Sequence, residues 1–201
     1  MGLRLTMCRL DLKRLQRWVS LGAMAVLTVL TMVALPSQGA IAEGSLEYKV
    51  KAAFLYKFIA YVDWPATAFS SSTSPFSICL TDSNEQFNAT LKKMASGGNV
   101  NGHPIVIQQI TPEENEADCH ILYLGASDPQ RATEVAEAVR GANVLTVSNS
   151  APQGIIDFVI ADNRVRFNID DEAAAQNGLV ISSKLLSLAV NVKRRESKGG
   201  Q

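Results

Sequence analysis

Apolar and polar residues fall into blocks along this chain, and each block has its own period. Residues 45–63, SLEYKVKAAFLYKFIAYVD, place Leu46, Val50, Phe54, Phe58 and Val62 four apart with Lys49 and Lys57 off that stripe. This spacing predicts an amphipathic helix, whose apolar face reads as core with some of it open to sharing with a partner. Trp64-Pro65 ends the helix, because the residue before proline is pushed out of the helical region. A Ser/Thr loop then runs from Ser70 to Pro75.

Beyond that loop, short apolar runs alternate with helical patterns. Strands are predicted at Phe76–Leu80, Pro104–Ile107, Cys119–Leu124 and Asn143–Val147. Asp82-Ser83-Asn84 supplies capping side chains for a helix over Glu85–Ala95, which Gly97-Gly98 closes. Ser127-Asp128-Pro129 opens a second helix that runs to about Arg140, with proline in its first turn. Ile155–Ile160 and Val165–Ile169 flank the turn Ala161-Asp162-Asn163-Arg164 and predict an antiparallel hairpin. Helical segments follow near Asp171–Gln176 and Ile181–Val192, separated at Gly178. The pattern implies a three-layer α/β fold: a mostly parallel central sheet, a C-terminal antiparallel hairpin and flanking helices. A doubly wound order 2-1-3-4 makes the first and third of the four strands neighbours.

The first 42 residues stand apart from all of this. Arg4, Arg9, Lys13, Arg14 and Arg17 precede an uncharged run from Trp18 to Leu35, then Pro36 and small residues ending Ala40-Ile41-Ala42. This is the plan of a secretory signal, with cleavage expected after Ala42 and the periplasm as destination; residues 43–201 form the exported domain. The whole chain is formally neutral, with 19 basic and 19 acidic residues. Removing the leader's five basic residues and its one acid leaves 159 residues at a formal charge of −4. That balance argues against a nucleic-acid coat.

Export leaves two cysteines, Cys79 and Cys119, where disulfides persist. The sheet order places them on adjacent strands, which makes a bridge feasible and leaves two buried free thiols as the alternative. No nucleophile elbow, phosphate loop, zinc-protease helix or dinucleotide fingerprint is present, so no catalytic residues, metal or cofactor are expected. His103 and His120 read as a loop and a strand-edge histidine, and a metal site using both with Asp118 lacks the tight spacing of zinc ligands. Ligands of such sheets sit outside the strands' carboxyl ends, which gives Asp82, Ser83, Ser127 and Asn149 as candidate binding residues. Lys193-Arg194-Arg195 reads as a solvated tail.

Several segments in order resemble the YfiR-like periplasmic proteins. They are Lys51-Ala52-Ala53-Phe54-Leu55-Tyr56-Lys57-Phe58, Trp64-Pro65, Cys119-His120-Ile121-Leu122-Tyr123, Val144-Leu145-Thr146-Val147-Ser148, Arg164-Val165-Arg166-Phe167-Asn168-Ile169 and Ser182-Ser183-Lys184-Leu185-Leu186. The resemblance implies a non-enzymatic regulator, commonly a homodimer. It would bind the periplasmic sensor of an inner-membrane diguanylate cyclase, or another membrane sensor, and so control cyclic di-GMP and biofilm formation. Cys79 and Cys119 occupy positions like those of the family's disulfide. The chain departs from that pattern in lacking a second cysteine pair within Ser148–Phe158, in Gln153-Gly154 for Gly-Gly, and in Asp170 for Asn. A periplasmic small-solute-binding module using the strand-end crevice is the alternative reading.

Overall fold

The computed structural model describes residues 39–81, 84–110, 118–125, 129–149 and 154–195. Most of the expected leader lies outside them, and Gly39–Ala42 belong to the opening of the first helix. The chain divides after Ala40, and the unit described here begins at Ile41.

Helix α1, Gly39–Phe58, passes through a 3-10 turn at Ile59–Tyr61 into the short strand β1, Val62–Asp63. The buried side of this segment is Ala52, Leu55, Phe58, Ile59 and Val62, with Leu46 exposed. The expected stripe at four-residue spacing is therefore corrected. Each four-residue step turns about 40° around a helix, so Leu46 sits about 120° from Phe58. The helix also stops short of Asp63, because Val62 pairs with Ile181 and the Ser182 N–H donates to the Tyr61 carbonyl at 2.9 Å.

The remaining elements are β2 (Phe76–Leu80), α2 (Glu85–Ala95), β3 (Asn99–Val100), β4 (His103–Gln109) and β5 (Ile121–Leu124). They are followed by α3 (Pro129–Ala138), β6 (Leu145–Asn149), β7 (Ile156–Ala161), β8 (Arg164–Asp170) and α4 (Asp171–Gln176). Then come β9 (Val180–Ile181), α5 (Ser183–Leu186) and β10 (Val192–Lys193). Strand β9 pairs with β1, and the other eight strands form one sheet in the order β10-β8-β7-β6-β5-β2-β4-β3. Its centre, β4-β2-β5-β6, is parallel and reproduces the expected 2-1-3-4 order. The antiparallel β7–β8 hairpin turns through Asp162 and Asn163, both at positive φ, and joins β6 in parallel.

Parallel neighbours usually need a long crossover, yet only residues 150–155 separate β6 from β7. The pairing explains the short link: only Val147–Asn149 and Ile156–Phe158 overlap, so the chain retreats by about two residues, roughly 7 Å. Gly154 makes the return possible. A Cβ there would lie 2.7 Å from the Ile156 carbonyl oxygen, 2.9 Å from the Ser148 nitrogen and 3.0 Å from the Thr146 carbonyl oxygen, all backbone atoms.

Period-two alternation splits the core between the two faces of the sheet. Phe76, Ile78, Ile121, Tyr123, Leu145, Val147, Ile156, Phe158, Phe167 and Ile169 face α1 and α2. Cys79, Leu122 and Leu124 pack on the other side with Ala132 and Val135 of α3 and Val139 just after it. The result is a three-layer α/β fold with a mostly parallel sheet.

One more expectation is corrected. The segment 181–192 is helical only at Ser183–Leu186, because its ends are drawn into pairing with β1 and β8. The basic stretch near the C-terminus is exposed, as a solvated segment should be, but it is also paired: Lys193 with Asp170 and Glu172, and Arg195 through two hydrogen bonds to the buried Asp171 at 2.8 and 2.9 Å.

Candidate functional site

The strand-end crevice was expected to collect ligand-binding groups. Asp82, Ser83 and Ser127 lie outside the described residues. Asn149 ends β6, and its Oδ1 accepts a hydrogen bond from the Lys51 Nζ of α1. Lys51 is buried, pairs with Glu47 one turn earlier, and places its ammonium 6.0 Å from the centre of the Phe158 ring. A buried ammonium is costly without such partners, so the Asn149 carbonyl serves the fold's own charge. Nearby, the Thr81 hydroxyl donates to the Tyr123 carbonyl at 3.2 Å and accepts from the Gly125 N–H at 3.1 Å, lacing β2 to β5. The helix that follows is capped by Asn84, whose Oδ1 accepts from the Phe87 N–H at 2.9 Å.

Cys79, the fourth residue of β2, and Cys119, just ahead of β5, form a disulfide with their Cα atoms 5.8 Å apart. It is not a cross-strand pair. Cys79 stands opposite Leu122, and strand β5 begins at Ile121 instead of the expected Cys119. The chain bends at His120 and brings Cys119 back over β2 into the α3-side core.

Beside the bridge, both histidines are buried. His103 opens β4 and is not the loop residue expected, whereas His120 stands at the edge of β5 as expected. Four rings follow one another: His103 stacks on Phe69 at 4.0 Å, Phe69 meets His120 at a tilt at 4.5 Å, and His120 stacks on Phe76 at 4.7 Å. Trp64 meets Phe76 edge-on, and its indole N–H donates to the His120 carbonyl at 3.3 Å. The Phe69 ring fills the space between the imidazoles, so they do not converge on a metal ion. Among the described residues no group of three or more His, Cys, Asp or Glu side chains forms a metal cluster.

His120 Nδ1 accepts from the Ser77 N–H at 3.1 Å, which places the proton of the neutral ring on Nε2. That nitrogen is buried and has no hydrogen-bond partner among the described residues. Burial pushes the His120 pKa below its usual 6.5, and the nearby His103 adds to the lowering. The Ala68 carbonyl, outside hydrogen-bond geometry, opposes it. His103 is held through Nδ1, 2.7 Å from the Ser74 carbonyl oxygen.

An open, partly apolar groove lies between α1 and the β7–β8 hairpin. Leu46, Val50 and Phe54 of α1 and Ile160 and Val165 of the hairpin line a groove of about 550 Å³, with Arg164 and Arg166 along it. Leu46 is 63% exposed and Ile160 56%, values far from those of core side chains. Sequence periodicity found Leu46, Val50 and Phe54 but assigned them to the core. The rotation of the helix described above turns them toward the groove, and Phe54 closes its inner end against Phe58, Phe158 and Phe167.

No curated protein matches the chain. A family model described as YfiR/HmsC-like matches residues 48–190, which span α1 to the segment just before β10 and include the disulfide, the histidine stack and most of the groove. The chain belongs to the YfiR/HmsC-like family.

Proposed function

We propose that this protein is a non-enzymatic periplasmic regulator that binds and represses an inner-membrane signalling protein, the periplasmic sensor of a diguanylate cyclase. Through it, cyclic di-GMP and biofilm formation come under control. The observation that carries this reading is family membership over residues 48–190. The basic, apolar and small-residue plan of residues 1–42 supports export with cleavage after Ala42, and the Cys79–Cys119 bridge suits an oxidising compartment. Homodimerisation belongs to the same reading.

The test is to delete residues 43–201 and measure cyclic di-GMP in cells under envelope stress. A rise is expected, and unchanged levels under several stresses overturn the reading. Sedimentation of the exported protein tests the dimer. A thermal-shift panel of nucleotides, amino acids and anions addresses the solute-binding alternative, because a tight ligand raises Tm by mass action.

A further inference from the structure

An acidic domain that keeps two arginines without acidic partners beside an open apolar groove is built to meet something. Arg164 and Arg166 are exposed, and among the described residues neither takes part in an ion pair. By contrast, Lys193 and Arg195 are both paired. The groove's own carboxylate, Glu47, is engaged by the buried Lys51. The exported domain carries a formal charge of −4, so this local cationic rim runs against the average.

The apolar part of the groove is equally unpartnered. Leu46 of α1 and Ile160 of β7 both line it, each more than half exposed. Strand β10 covers β8 only at Ile169 and Asp170, so among the described residues the outer edge of β8 at Arg164–Arg166 has no strand beside it. Charged side chains commonly protect such edges from other chains. Here they also border apolar surface, the combination of greasy centre and charged rim found at protein interfaces.

We propose that this groove docks an acidic amphipathic segment of a partner protein, its apolar side chains seated between Leu46 and Ile160 and its carboxylates on Arg164 and Arg166. The inference rests on the regulatory reading above and names the surface and chemistry through which it acts. Charge decides against a second copy of this chain as occupant. The groove offers two free cations and one carboxylate that is already neutralised, so a twofold copy would set arginines against arginines.

The direct test uses the exported protein and two fluorescein-labelled synthetic helices that share a leucine face, one with glutamates on its flanks and the other with lysines. Fluorescence anisotropy is expected to show binding of the glutamate helix alone. The double reversal Arg164→Glu with Arg166→Glu should weaken it by roughly tenfold or more, as should raising salt from about 0.05 to 0.5 M. Equal binding of the two helices, or no loss on reversal, overturns the proposal. So does conversion of a dimer to a monomer by Ile160→Asp in sedimentation, since a second copy would then fill the groove. In cells, the full chain with the double reversal should raise cyclic di-GMP to the level seen on deletion. If deletion raises it and the reversal does not, the groove assignment falls and the regulator stands. If deletion changes nothing while the helices are discriminated, the reverse holds.

Discussion

The two faces of the sheet hold themselves together differently. The face toward α1 is dense with large rings: Phe58 stacks near Phe158 at 6.0 Å and meets Phe167 edge-on at 5.3 Å, and Phe87 stacks on Tyr123 at 4.5 Å. Among the described residues, the buried cluster on the face toward α3 has no aromatic side chain. It relies on small aliphatic residues and the Cys79–Cys119 bridge, next to buried Ser77, Thr146 and Ser148. Where apolar area runs out, a covalent tie across a 40-residue separation takes over.

The largest expected break in that comparison is on the aromatic face. Phe58→Ala should cost about 3–5 kcal/mol in urea unfolding, because it opens a cavity among rings that cannot close in. On the other face, the pair Cys79→Ala with Cys119→Ala should cost about 2–4 kcal/mol by loss of loop closure, and reductant should reproduce this in the wild type alone. A larger loss from the alanine pair than from Phe58→Ala would reverse the ranking of the faces. Lys51→Ala should cost about 1–2 kcal/mol, since it removes the donor that satisfies Asn149 and the stem that packs over Phe158.

His120 sharpens the comparison with pH. Its pKa in the folded protein lies below the 6.5 of an exposed histidine, so the unfolded chain binds the proton more readily. The stabilisation is present above pH 6.5 and is lost as pH falls through the folded pKa. Urea unfolding from pH 7 to pH 5 should show this decline, and His120→Asn, which keeps an acceptor for the Ser77 N–H, should flatten it. A slope unchanged in the variant would remove His120 from the account. The smallest effect belongs to Arg195→Ala, about 0.5 kcal/mol in the same assay, because its partner Asp171 is buried but the guanidinium is partly exposed.

Much of the sheet is written locally in the sequence. Asp170 caps α4 through the Ala173 N–H at 2.8 Å, and the bounds of α2 and α4 agree with their sequence signals. The Asn101-Gly102 turn, with both residues at positive φ, joins β3 to β4 and is a local hairpin signal. The segment after Gly178 misled for a different reason. Ile181, Leu185, Leu188 and Val192 have helical spacing, but only tertiary partners reveal that Ile181 pairs with β1 and Val192 with β8. The histidine stack is less legible still, since Phe69, His103 and His120 come from three separate segments and meet only when the 66–75 loop folds over the sheet. The arginines of the groove were visible as residues, but nothing in the linear pattern says that α1 turns Leu46 toward them.

The indole at position 64 has a practical consequence. The chain has two tryptophans, and Trp18 lies in the segment expected to be removed, so the exported protein would carry a single tryptophan, excited apart from its tyrosines at the red edge of their absorption. That fluorophore is bonded to the His120 carbonyl and abuts Phe76. Its emission wavelength and quenching would therefore report protonation of the imidazole, and loosening of the 66–75 loop, without any attached label.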